Sequence, residues 1–170
     1  MPANLNNSQS ESIDQLSKDL SKIYSLQTIR ILRDQGFFGI TLPAMMFVPG
    51  ASAQTAANFT TPFFIANRTY QVVQVIERHE TAGTDAGSVT LMLKKVASGT
   101  APSSGTDVLS AGISLKATAN TNQTITSTSS TYIKRGSSSI LTSGNALSLV
   151  TTGTLTALVG VTVHVLLRAI

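Results

Sequence analysis

The chain has two histidines, and one of them lies in a run of charged residues where metal chemistry could be sought. His79 is followed directly by Glu80, as in the zinc-binding motif in which two histidines flank one turn of a helix. That motif needs a second histidine four positions after the first, and Gly83 stands there. Further ligands would have to come from distant parts of a chain that holds few His, Asp and Glu residues. The run therefore predicts no metal site.

The favoured interpretation of Glu77–Glu80 is mixed charge at the end of a strand. Lys94 or Lys95 would then be cross-strand partners of these side chains. His164 falls on the non-valine side of the last predicted strand, so we expect it to be solvated or to lie at an interface.

Other catalytic arrangements have no support in the sequence. The absence of cysteine excludes disulfides, thiolate metal sites and cysteine nucleophiles. Serines are abundant, but none lies in a nucleophile-elbow motif. Asp85, in the turn Gly83–Gly87, is not followed by the lysine and helix of a phosphate-binding loop. We predict a protein that is not an enzyme, with no catalytic, cofactor-binding or metal-binding residues and no cofactor.

Charge is sparse and dispersed. Only 12 % of the residues are charged, and the net charge is +4. The adjacent basic pairs are Lys94–Lys95 and Lys134–Arg135, whereas nucleic-acid-binding proteins concentrate Lys and Arg on one face. The chain is therefore expected to bind no nucleic acid.

The N-terminal sequence lacks the basic start and apolar core of a secretory signal. No apolar run approaches the roughly 20 residues that span a bilayer. We expect no membrane association, and synthesis in a host cytoplasm.

Alternating apolar and polar residues predict β-strands over most of the chain. In Ser88–Val96 the odd positions Val89, Leu91 and Leu93 are apolar and face Thr90 and Lys94 on the even side, so the strand should have one buried face. In Asp107–Lys116 the odd positions from Leu109 to Leu115 are apolar, with the same consequence. Tyr70–Glu80 alternates less cleanly, which predicts a mid-sheet strand buried on both faces. Leu158–Leu167 places its valines on one face. Further strands are predicted at Ala146–Thr152, around Ile125 and at Phe59–Ile65, where Pro62 indicates an edge strand or a bulge. Phe37–Pro49 is a candidate first strand.

A helix is predicted over Ser10–Gln35. Its apolar residues Ile13, Leu16, Leu20 and Ile23 follow the 3-4-3 spacing of a coiled-coil seam. Two alternatives stay open: the stripe packs on the chain's own sheet, or it forms an oligomer interface around a symmetry axis.

Together these patterns predict a mainly β fold. About seven or eight short strands separated by turn residues indicate an antiparallel β-sandwich or jelly-roll-like domain at 59–170, preceded by an N-terminal α-helix. Residues 1–58 are expected to form an arm, the helix and a connecting segment that serve oligomerisation or attachment.

Three segments carry a resemblance to a known group of proteins. They are RHETAGTDAG (Arg78–Gly87), GTAPSSGTDVL (Gly99–Leu109) and the hairpin from Ser148–Gly153 into the valine-rich last strand. Over roughly residues 60–170 the chain resembles a module found in structural proteins of tailed bacteriophages. It is similar to their capsid decoration or head fibre proteins, with the crAss-like phages as one candidate group.

The resemblance implies a β-sandwich knob with no catalytic role, on the outer surface of the capsid of a virion. It also implies a homo-oligomer, with a homotrimer as the expected state, and the major capsid protein or other virion proteins as partners. An alternative function is the receptor- or carbohydrate-binding tip domain of a phage fibre. Tyr132, in a loop with Lys134 and Arg135, is the aromatic residue that would suit it.

Overall fold

The computed structural model describes residues 60–170, the backbone of Gly39–Pro49, and the helical residues Gln15 and Lys18. The chain divides into two compact units, Met1–Phe38 and Gly39–Ile170, and the described strands all belong to the second. The rest of the predicted helix, its seam and the predicted domain boundary at residues 58 and 59 lie outside the described residues.

Within the described residues, ten strands form two antiparallel sheets, sheet 1 and sheet 2. Their bounds are β1 Gly39–Pro49, β2 Thr61–Ile65, β3 Tyr70–Arg78, β4 Thr90–Val96, β5 Thr106–Asp107, β6 Ile113–Ser114, β7 Gln123–Ile125, β8 Ile140–Leu141, β9 Ala146–Thr152 and β10 Val159–Ala169. Sheet 1 has the order β1-β10-β3-β7, with β8 also paired to β3. Sheet 2 has the order β2-β9-β4-β5, with β6 also paired to β4.

The strand order is that of a jelly roll. The first strand pairs with the last, the second with the one before last, and so on inward to β4 with β5 and β6. β1 to β4 lie in alternate sheets, and their partners follow in the reverse order, so the described strands form an antiparallel ribbon rolled into two layers. The predicted mainly β sandwich is confirmed, and two of its eight strand positions are each split into two short pieces.

The core lies between the sheets and is built from the alternation read in the sequence. Val163 and Val165 of β10 are fully buried, as are Leu91 and Leu149 of the opposite sheet. The same cluster contains residues of both sheets, so the two inner faces pack on each other. Burial of one face per strand by β-branched and leucine side chains is the main stabilising contribution.

The prediction that β3 is buried on both faces was wrong, although its mid-sheet position between β10 and β7 is confirmed. Tyr70 and Val72 are buried before a β-bulge, and Val75 and Glu77 after it. Val73 is the extra residue, because Leu166 pairs with Gln74 whereas Leu167 pairs with Val72. The bulge shifts the buried phase from even to odd positions, and this explains the irregular pattern.

The prediction of one strand over Asp107–Lys116 was also wrong. β5 and β6 pair with β4 at either end of this segment, Val108 still donates its amide to Leu93 of β4 at 2.9 Å, and residues 109–112 leave the ladder. Leu109 forms an isolated bridge with Ile133 instead. The alternation in sequence survives only in part, because Val108 is buried and Ala111 is exposed.

Two further expectations hold. β2 is an edge strand with a register shift next to Pro62, as proline in a strand suggested. β9 has the predicted bounds, Ala146–Thr152.

Candidate functional site

A buried polar cluster lies at the end of β3, within the charged run Glu77–Glu80. Glu77 and His79 are both 0 % exposed. His79 Nδ1 lies 2.9 Å from Glu77 Oε1, and His79 Nε2 lies 3.0 Å from the carbonyl oxygen of Ala117. Gln123 of β7 donates from Nε2 to Glu77 Oε2 at 2.6 Å and to the Ser114 carbonyl oxygen at 2.7 Å.

The hydrogen-bond partners fix most of the protons in this cluster. A carbonyl oxygen only accepts, so Nε2 of His79 carries a proton. The short contact between Nδ1 and Glu77 needs one further proton, held either by the ring or by the carboxyl group. Burial raises the pKa of Glu77, while the hydrogen bond and charge of His79 and the hydrogen bond from Gln123 act in the opposite direction.

The cluster has a structural role. It joins the end of β3 to the segment 114–123, and the backbone of His79 adds another link by accepting from the Asn120 amide at 2.8 Å. Both acidic oxygens and both ring nitrogens are already engaged, and neither side chain reaches solvent. Among the described residues, no group of three or more His, Asp or Glu side chains could hold a metal ion.

The predicted cross-strand partners of the charged run were wrong. β3 belongs to sheet 1 and β4 to sheet 2, so Lys94 and Lys95 cannot lie beside Glu77 or His79 in a ladder. Lys94 forms an ion pair with Asp107 at 2.7 Å. Lys95 donates instead to the carbonyl oxygens of Ser137 and Ile140. Sequence spacing gave no information on which strands share a sheet.

A second site candidate is a surface groove, which we call the basic groove. It has an inner cleft of about 390 Å³ and a wider outer depression of about 610 Å³, which share Ser127, Lys134 and Arg135. The inner cleft is also lined by Gln71, Val73, Ser139 and Arg168, and the outer depression by Tyr132 and Ser138.

The floor of the groove is an interrupted edge of β3. β8 pairs with Tyr70 and Gln71, and β7 pairs with Val75 to Glu77. Between them the bulge residue Val73 lies on an edge with no strand partner in the described part of the chain. The Arg168 guanidinium, from the neighbouring β10, donates from Nη2 to Gln71 Oε1 at 2.6 Å.

The loop 127–139 forms the outer wall of the groove and is held at several points. Ile133 donates its amide to Thr126 at 3.0 Å, and Lys134 donates to Val108 at 2.8 Å. Tyr132 is fixed through its backbone, which exchanges hydrogen bonds with Ser110 at 2.9 and 3.0 Å. The residue as a whole is 45 % exposed.

Sequence reasoning singled out part of this groove and missed the rest. It identified Tyr132, Lys134 and Arg135 as members of one loop. It missed Arg168 and Gln71, because their approach depends on the pairing of β10 with β3, which are far apart in the chain. Outside the groove, the prediction that His164 lies on the non-valine face of the last strand agrees with its exposed position. The predicted oligomer seam Ile13, Leu16, Leu20 and Ile23 lies outside the described residues.

Comparisons with known protein families and with curated proteins give no match. A solved structure of infectious bursal disease virus, Gx strain, is similar with a TM-score of 0.31 and 14 % sequence identity. The similarity covers 78 % of this chain and 37 % of that viral chain, so the protein spans well under half the length of its structural neighbour. A likeness at this level supports no inference about function. Within the described residues, no helix is long and apolar enough to cross a membrane.

Proposed function

We propose that the chain is a non-enzymatic structural protein of a virus particle, and specifically a capsid decoration or head fibre protein of a tailed phage. The proposal rests on the sequence resemblance over roughly residues 60–170 together with the jelly-roll topology. Jelly rolls recur in viral capsid domains and in lectin domains, but a fold alone does not assign a function.

The observation that carries the proposal is where the resembling segments lie. Arg78–Gly87 contains His79, which ties sheet 1 to the segment 114–123. Gly99–Leu109 connects β4 to β5 and contains Asp107, the ion-pair partner of Lys94. Ser148–Gly153 leads from β9 towards β10. The first and third segments therefore coincide with connections between the two layers and the second with a connection inside sheet 2, as expected of a shared structural module.

We further propose that the N-terminal region, residues 1–58, mediates attachment and assembly into a homotrimer through the seam Ile13, Leu16, Leu20 and Ile23. Gly39–Pro49 pairs along β10, so a truncation that tests this idea must keep β1. Light scattering on the full chain and on residues 36–170 is the direct measurement. A trimer that becomes a monomer on truncation supports the proposed seam. If both proteins are trimers, the interface lies in the sandwich. If both proteins are monomers, the homotrimer is contradicted.

The location in the particle is tested separately. Intact particles of the phage whose genome encodes the chain are purified and labelled with gold-conjugated antibodies against residues 60–170. The proposal expects labelling on the outside of the capsid of undisrupted particles. Absence of the chain from purified particles, or labelling only after disruption, would contradict it.

A further inference from the structure

We propose that the basic groove binds an acidic saccharide, with a carboxylate of the sugar against Lys134, Arg135 and Arg168 and a sugar ring against Tyr132. This inference goes beyond the proposed structural role and does not depend on where in a particle the protein lies. A virion protein could lack this activity, and a saccharide-binding protein could lie outside a virion.

The first argument is charge. Residues 60–170 hold eight basic and four acidic residues, so they account for the whole net charge of +4. Three of the eight basic side chains line the groove, and no acidic side chain does. An anionic ligand would complement this local excess of positive charge.

The four acidic residues of this region are occupied or placed elsewhere. Glu77 is buried with His79, and Asp107 pairs with Lys94. Asp85 accepts from the Gly87 amide in its own turn, and Glu80 packs near Gly160 at the other end of β10 from Arg168. None of the four acidic side chains of residues 60–170 therefore lines the groove.

The second argument is the mixture of groups around these cations. Guanidinium groups bind carboxylates with good geometry, and two of the three cations are arginines. Ser127, Ser138 and the amide of Gln71 add neutral polar groups of the kind that exchange hydrogen bonds with sugar hydroxyls.

Tyr132 adds an exposed aromatic face to the same groove. Its ring is amphipathic, so it can pack on the C–H face of a sugar while its hydroxyl remains in water. The backbone bonds to Ser110 hold the residue in place, so little conformational entropy is lost on binding.

The third argument is that the groove is already formed. Lys95 reaches from β4 to the carbonyl oxygens of Ser137 and Ile140 and fixes the end of the wall. Gln71 orients Arg168 at the floor. A preformed concave site with a few placed polar groups is typical of small-ligand binding.

A saccharide fits better than a nucleic acid. Nucleic-acid sites use a longer stripe of cations along the phosphate backbone and, for single strands, several aromatic rings for successive bases. The groove offers three cations and one aromatic ring.

The test is calorimetric titration of the full chain with tetragalacturonate at low salt. The matched control ligand is the fully methyl-esterified tetramer, which keeps the sugar rings and removes the charge. Tetraglutamate and a short oligothymidylate present negative charge without an acidic sugar. We expect binding of tetragalacturonate with a dissociation constant between about 10 μM and 1 mM, and binding of the other three ligands at least about tenfold weaker.

Single variants locate the site. Lys134→Gln and Arg135→Gln should each weaken binding by about tenfold, since each removes a charge-assisted hydrogen bond. Tyr132→Ala should weaken it by about fivefold. Arg78→Gln is the matched control, because Arg78 is an exposed cation of the same sheet in a separate depression beside His164, and it should change binding by less than about twofold.

Three results would overturn the proposal. One is no heat of binding for tetragalacturonate at about 10 mM, a concentration that detects even weak complexes. Another is equal affinity for tetraglutamate or the oligonucleotide, which would make the groove a general anion or nucleic-acid surface. The last is a loss in Arg78→Gln as large as in the groove variants, which would show non-specific attraction. A folded state in each variant is verified by circular dichroism.

Discussion

Replacing His79 with alanine should destabilise the sandwich far more than replacing His164, the other histidine of the chain. The change removes two hydrogen-bonding ring nitrogens from a site with no access to water. Glu77 keeps only its bond from Gln123, and the Ala117 carbonyl oxygen loses its side-chain donor. Removing one member of a buried charged or proton-sharing pair costs about 3–5 kcal/mol.

The assay is equilibrium urea unfolding of the full chain, followed by circular dichroism. A loss of about 4 kcal/mol is a large part of the usual 5–15 kcal/mol for a domain, so His79→Ala should remain folded but unfold at clearly lower urea. His164→Ala is the matched control, because His164 is exposed on the same sheet, and it should change stability by less than about 0.5 kcal/mol.

A third variant separates hydrogen bonding from packing. In His79→Asn the amide nitrogen can occupy the position of Nδ1 and donate to Glu77, so part of the lost stability should return. Equal stability of His79→Ala and His164→Ala would refute the structural role assigned to the cluster.

Further predictions concern the same cluster, one turn and one ion pair. The pKa of Glu77 is raised, so the stability linked to its protonated form is present below the usual glutamate pKa and is lost as pH rises through the raised value. Glu77→Gln mimics the protonated carboxyl, and its stability should vary less with pH over this window in urea titrations at several pH values. Gly153→Ala should cost more than Gly144→Ala by at least about 1 kcal/mol. Both glycines have positive φ, but only at Gly153 would a Cβ collide with a backbone carbonyl of the β3–β4 loop. Thermal melts compare the two, and equal losses would contradict the collision. Asp107→Asn should cost no more than about 1 kcal/mol, because its ion pair with Lys94 is partly solvated; a larger loss would show that this pair holds the β4–β5 connection.

Local alternation predicted the strands whose pattern is uninterrupted. β10 carries one apolar face along its length, and it was found within two residues of the predicted bounds. β3 was misinterpreted because the bulge at Val73 reverses the buried phase, and nothing in the local sequence marks an extra residue. The segment 107–116 was misinterpreted because Leu109 pairs with Ile133 rather than with β4.

The sites depended still more on long-range pairing. Glu77 and His79 stand close together in the sequence as part of a charged run. Their partners, the Ala117 carbonyl and Gln123, lie 38 and 46 residues away in the chain. The basic loop was visible, whereas Arg168 joins it only through the β10–β3 ladder. Residue type and spacing thus indicated which side chains were unusual, and strand pairing decided what they touch.

The nested pairing of the jelly roll also has a consequence for biosynthesis. β1 leaves the ribosome before every other described strand, and its partner β10 leaves after all of them. At usual elongation rates this interval is roughly 10 s, during which an eleven-residue strand has no partner for its edge. β10 is also central in sheet 1, between β1 and β3. Nascent chains interrupted before β10 would therefore hold two separated fragments of that sheet, each with an open edge, and should aggregate or be degraded rather than accumulate as a smaller folded domain.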